Sequence, residues 1–149
     1  MALIGIKSRK EKHLEIVEES QFSKDNQEKK LQEILEEHPE LVSEGSITLC
    51  GTKSLPSRKT PDLILCNKDG TLTIAELKRG KASRDAVAQL LGYAAELHKM
   101  TLEEFSSYIG LSISELVEKS GVEEVEEETQ FKKKLGEKLV ETAFTISFL

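Results

Sequence analysis

Two runs of apolar and β-branched residues, Pro61-Asp62-Leu63-Ile64-Leu65-Cys66 and Thr71-Leu72-Thr73-Ile74-Ala75-Glu76-Leu77-Lys78, flank the tetrapeptide Asn67-Lys68-Asp69-Gly70. This pairing constrains the fold more tightly than any other stretch, because the turn chemistry sets the strand register. Asn67-Lys68-Asp69-Gly70-Thr71 suits a type I turn followed by Gly70 in the left-handed region as a G1 bulge. Asn67 then faces Thr71, and counting outward along both strands places Asp62 opposite Glu76. Directly opposed residues share a face, with Cβ atoms ~4.5–5.5 Å apart, so two carboxylates lie side by side. Such a pair is destabilising unless a cation accompanies it. Lys78, two residues beyond Glu76, lies on that same face, and Leu72 and Ile74 precede them there. The charged cluster therefore ends an apolar surface.

Around this hairpin the sequence predicts alternating elements. Leu3–Ile6 and Leu14–Val17 read as two short strands. Gln27–Glu37 reads as a helix, with Leu31, Ile34, Leu35 and His38 at helical spacing and His38-Pro39 ending it. On that helix Glu33, Glu36 and Glu37 point away from Leu31, whereas Glu28 lies within about 60° of it, on the packing side. Ser46–Cys50 reads as a strand and Lys53–Lys59 as a basic loop. Ser83 caps a long helix reaching about Lys99, with an apolar face of Val87, Leu90, Ala94 and Leu97 edged by Gln89 and Tyr93. Thr101-x-x-Glu104 and Ser112-x-x-Glu115 are capping boxes, each opening a short helix that stops near Gly110 or Gly121. A helix over Thr129–Glu141 and a strand over Ala143–Leu149 complete the chain. The reading is a single α/β domain: an N-terminal extended segment 1–26, a core 27–100, an acidic helical insertion 101–141 and a last strand 142–149.

The length of 149 residues, 38% hydrophobic and 32% charged, suits one such domain. The net charge of −6 excludes a wholly basic nucleic-acid coat, but the charge is uneven. Between Gly45 and Met100, nine Lys/Arg face five Asp/Glu; between Thr101 and Glu128, nine Glu face one Lys. A basic centre is followed by an acidic segment, in which Glu123–Glu128 reads as a solvated linker. Cys50 and Cys66 form no CxxC and read as small strand hydrophobes. The absence of a signal-peptide pattern and of an apolar run of ~18 residues points to a cytoplasmic protein without membrane contact. No P-loop, GxSxG or HExxH occurs, against an NTPase, a serine hydrolase or a zincin.

Two carboxylates and a lysine at a strand end, with a third acid approaching from a helix, match the needs of divalent-metal phosphodiester hydrolysis. Mg²⁺ takes oxygen ligands, commonly one or two carboxylates, and leaves other positions to water and phosphate. Pro61-Asp62 followed by Glu76-Leu77-Lys78 resembles the PD-(D/E)XK signature of the restriction-endonuclease-like superfamily. The run from Glu28 to Leu97 more closely resembles the catalytic domain of NucS/EndoMS-type endonucleases. The matching pieces are residues 28–41, Pro61-Asp62, and residues 74–93 with Gln89-x-x-x-Tyr93.

That resemblance implies an αβββαβ core with a mixed sheet flanked by helices, and an Mg²⁺- or Mn²⁺-dependent endodeoxyribonuclease acting in DNA repair or processing. It implies Asp62 and Glu76 as metal ligands and Lys78 as the catalytic lysine. Glu28 takes the place of the family's first-helix acid, and Gln89 and Tyr93 that of its Gln-x-x-x-Tyr. Lys53, Arg58, Lys59, Arg79, Lys81 and Arg84 flank the acids in sequence and read as DNA-phosphate contacts. DNA is the expected partner, and a homodimer is compatible with this reading. The alternative is a nuclease-fold module that binds DNA or protein without cutting, because fold does not determine activity.

Overall fold

The computed structural model describes residues 27–49, 55–80, 83–137 and 140–148. The expected N-terminal strands, together with Cys50, Lys53 and Lys81, lie outside the described residues.

Helix α1 spans Gln27–Glu37 and is followed by a single 3-10 turn at Pro39–Leu41. Strands β1 (Ile47–Thr48), β2 (Leu63–Cys66) and β3 (Leu72–Arg79) precede helix α2 (Arg84–Lys99). Helices α3 (Leu102–Ile109), α4 (Ile113–Lys119) and α5 (Val125–Glu137) lead into β4 (Val140–Phe148). The sheet order is β1-β2-β3-β4, with β1 and β3 antiparallel to β2, and β4 parallel to β3. The chain is thus α/β with a mixed sheet, as its sequence predicts.

The β2–β3 turn adopts the predicted form. Gly70 N–H donates to Asn67 O at 2.9 Å, Asn67 N–H donates to Thr71 O at 2.8 Å, and Gly70 has φ +88°. Asn67 is buried and its Nδ2 donates to the hydroxyls of Thr71 (3.0 Å) and Thr73 (2.9 Å), which locks the turn from inside. The register follows: Cys66 pairs with Leu72, Ile64 with Ile74 and Leu63 with Ala75.

Strand alternation then sorts the core into two layers. Leu63, Leu65, Ala75 and Leu77 pack with Leu35 and Leu31 of α1 on one face. Ile64, Cys66, Leu72 and Ile74 face the other way, against Leu90, Tyr93 and Leu97 of α2 and the buried Phe105, Leu116, Phe131 and Leu135 of α3–α5. Both faces of β3 are therefore covered, and Ile74, Ala75 and Leu77 are fully buried. Burial pushes the Cys66 thiol up to about 12, so it behaves as the small hydrophobe expected of it.

Ser83 accepts the Ala86 N–H, and both capping boxes close reciprocally, Thr101 with Glu104 and Ser112 with Glu115. Boundaries differ in three places. The first strand is only Ile47–Thr48, pairing with Cys66 and Leu65. Helix α5 begins at Val125 and ends at Glu137, earlier than Thr129–Glu141, because Phe131 and Leu135 anchor it one turn apart in the core. The run Glu123–Glu128 is thus a solvated linker only at Glu123 and Glu124. Glu126, Glu127 and Glu128 form the first turn of α5, where carboxylates meet the positive end of the helix dipole. The last strand accordingly starts at Val140, beside Leu72, instead of residue 142.

The hairpin turn also grips α5. Lys134 Nζ donates to Asp69 Oδ2 at 2.8 Å, and Thr71 donates to Asp69 Oδ1 through both N–H and hydroxyl. Burial works against the Asp69 charge, but the hydrogen bonds from Lys134 and Thr71 outweigh it and hold the carboxyl at about 2. A carboxyl depressed on folding stabilises the fold above its unfolded value near 3.8, and this is lost as pH falls toward about 2. Asp69→Asn is therefore expected to lower the melting temperature at pH 7 and to converge on the wild type near pH 2. Melting curves across that range check it. An equal deficit at both ends would mean that the charge of Asp69 is not what holds the turn to α5.

Candidate metal centre

Asp62 immediately precedes β2, and its Oδ2 accepts the backbone N–H of Leu77 at 2.7 Å. This bond continues the hairpin one rung beyond Leu63 and Ala75, where the register puts Glu76 opposite Asp62. Glu76 is only 5% exposed. Lys78 Nζ lies 3.3 Å from Glu76 Oε1, and the lysine is about one-third exposed, so it joins a buried carboxylate to solvent. The second carboxylate oxygen, Glu76 Oε2, is buried without a hydrogen-bond partner. Burial raises the Glu76 pKa, the neighbouring Asp62 charge raises it further, and Lys78 opposes both. A buried acceptor left unmatched costs ~1–3 kcal/mol, more when charged, so this arrangement is held in place by the surrounding fold.

Tyr93 of α2 is buried, and its hydroxyl is pushed up to about 12 by burial, then by Glu76 and Asp62. It lies in the field of the acid pair. Gln89, one turn earlier on the same side of α2, is half-buried. The structure thus groups Asp62, Glu76, Lys78 and Tyr93, with Gln89 alongside.

Glu28 is not brought to the pair. It is exposed in the first turn of α1, whose apolar side packs on the opposite sheet face through Leu31 and Leu35. Among the described residues, no three His, Cys, Asp or Glu side chains assemble as a metal cage. Helical periodicity places Glu28 on the packing side, but it does not say which sheet face the helix covers.

A residue missed by the sequence reading touches the site from the same helix. Gln32 Nε2 donates to the Asp62 carbonyl at 3.0 Å and to Glu36 Oε1 at 3.0 Å, pinning the strand that carries Asp62. Its position four residues after Glu28, on one helix side, was the available signal. Tyr108 of α3 was also missed. Its buried hydroxyl has no partner, and it borders a cavity of about 80 Å³ shared with Gln32, Thr48, Thr60 and Asp62.

Of the basic residues, Arg58, Lys59 and Arg84 are exposed. The loop bearing Arg58 and Lys59 is tied to α2 through Ser57 N–H donating to Glu96 Oε2 at 3.0 Å. Arg58 sits in the left-handed region at φ 64°. The backbone of Arg79 ends β3, opposite Phe148.

A mixed α/β sheet with helices on both faces, and Asp62, Glu76 and Lys78 at one end of its central hairpin, defines a restriction-endonuclease-like domain. The family model for the endonuclease NucS C-terminal domain matches residues 27–138, from α1 to just past α5, and the chain belongs to that family. Helices α3–α5 lie within the matched span. Comparisons with curated proteins and with solved structures return no match. No described helix is long and apolar enough to cross a membrane.

Proposed function

We propose that this chain is an Mg²⁺- or Mn²⁺-dependent endonuclease that hydrolyses DNA phosphodiester bonds in repair or processing in the cytoplasm. The observation that carries this reading is the buried, unpartnered Glu76 Oε2 beside Asp62 and Lys78. Two carboxylates suit a hydrated Mg²⁺, which usually takes only one or two from the protein. A buried carboxylate oxygen without a hydrogen-bond donor is an acceptor that such a cation would satisfy.

In this reading Asp62 and Glu76 hold the cation, which supplies polarisation of the phosphate and acidification of water when bound. Lys78 balances the two carboxylates, and its ammonium offsets charge developing on the phosphorane or assists removal of the attacking water's proton. Leu77 N–H holds the Asp62 carboxylate, and Gln32 holds its backbone carbonyl. Gln89 and Tyr93 approach the acids from α2, and Tyr93 lies in their field. Lys53, Arg58, Lys59, Arg79, Lys81 and Arg84 neutralise flanking phosphates.

Calorimetric titration with Mn²⁺ tests the reading directly. The wild type is expected to bind, and Asp62→Asn to lose at least about tenfold in affinity, because half of the charge holding the cation is gone. Equal binding by both proteins would remove the metal from the site. Incubation with mismatched, branched, nicked and single-stranded DNA, with each metal, tests the reaction. Tight DNA binding without cleavage of any of these would make the chain a binding module.

A further inference from the structure

Glu76 Oε2 is not the only buried oxygen at this end of the sheet without a partner. Thr145 Oγ1, on β4, is also buried and unmatched, and Glu76 and Thr145 are register partners across the parallel β3–β4 pair. Neighbouring strands lie ~4.8 Å apart, and partners in register project to the same face. The two side chains bearing these oxygens are therefore neighbours on the face that carries Asp62 and Lys78 and that packs against Tyr93. An ionised carboxylate can only accept, whereas a threonine hydroxyl both donates and accepts. The pair is complementary.

We propose that Thr145 is a positioning residue of the metal site, its hydroxyl and Glu76 Oε2 together forming a two-point socket for a water of the hydrated cation. This rests on the metal reading above and extends it to a third strand. The carboxylate contributes charge, and the hydroxyl fixes where the hydration shell sits. Hydrogen-bonding partners of this kind typically govern ~10–100-fold of metal affinity when removed. A hydroxyl kept only for packing has a simpler replacement, since Val fills the same volume without a buried polar atom to satisfy. A structural role and a binding role thus separate cleanly.

The experiment compares wild type, Thr145→Val and Thr145→Ser by Mn²⁺ calorimetry and by thermal melting without metal. Thr145→Val is expected to melt at or above the wild-type temperature, because an unmatched hydroxyl is gone, while its Mn²⁺ affinity falls about tenfold or more. Thr145→Ser, which restores the hydroxyl, is expected to recover most of the affinity. Wild-type affinity in Thr145→Val would overturn the role of Thr145 and leave the Asp62–Glu76 reading standing. A wild type that takes no Mn²⁺ would overturn both.

Discussion

Lys78→Met is expected to reduce phosphodiester cleavage by about 10²–10³ while leaving the fold and most of the DNA binding intact. The side chain stands 3.3 Å from Glu76 with about a third of its surface exposed, so its removal opens no core cavity. Met preserves the aliphatic stem and deletes the ammonium. Two consequences follow, one for the ionisation of Glu76 and one for the rate. The Glu76 carboxyl, already raised by burial and by Asp62, loses the cation that opposes them and becomes harder to ionise. The reacting phosphate loses a donor that acts on charge present only in the transition state, which lowers rate more than binding. Single-turnover cleavage with saturating Mn²⁺, beside circular dichroism melting, separates the two. A variant that fails to fold would assign Lys78 to neutralising the carboxylates, and unchanged cleavage would remove it from the chemistry.

Gly70→Ala is expected to be the most damaging of the alanine substitutions at the described glycines. At φ +88° a residue with a Cβ loses roughly 1–2 kcal/mol. The added methyl would also run into the backbone carbonyl of Phe131 in α5, a group that cannot swing aside like the end of a flexible side chain. Overpacking of that kind typically costs ~1–3 kcal/mol. The sum, about 2–5 kcal/mol, is a large share of the ~5–15 kcal/mol of a domain. Urea denaturation should show a lower midpoint with an unchanged slope. A midpoint within experimental error of wild type would mean that the turn and α5 separate without consequence.

The same glycine shows how far local sequence reaches. Asn67 through Thr71 specify a turn whose chemistry involves only those residues, so the register and the opposition of Asp62 and Glu76 could be counted before any coordinates. Ser83, Thr101 and Ser112 cap helices for equally local reasons, each side chain reaching an N–H three residues on. Where the decision was not local, the reading shifted. The acidic run Glu123–Glu128 has the polarity of a linker, yet burial of Phe131 and Leu135 draws Val125 to Glu128 into a helix. The period of α1 marks Leu31 and Leu35 as inward, and Glu28 with them, but a helix can cover either face of a sheet. Packing against Leu63, Leu65, Ala75 and Leu77 put it on the face away from the acids.

What the sequence by itself determined is therefore the hairpin, its register, the acid pair with Lys78, and the capped starts of α2, α3 and α4, because each follows from contacts between residues close along the chain. Only the tertiary structure decided that Gln32 holds the Asp62 backbone, that Tyr108 borders the cavity behind it, and that Thr145 lies beside Glu76. Those neighbours come from segments 30, 46 and 69 residues away from the residue they serve. Their meeting depends on which sheet face each helix covers and how β4 registers against β3, and no local pattern carries that information.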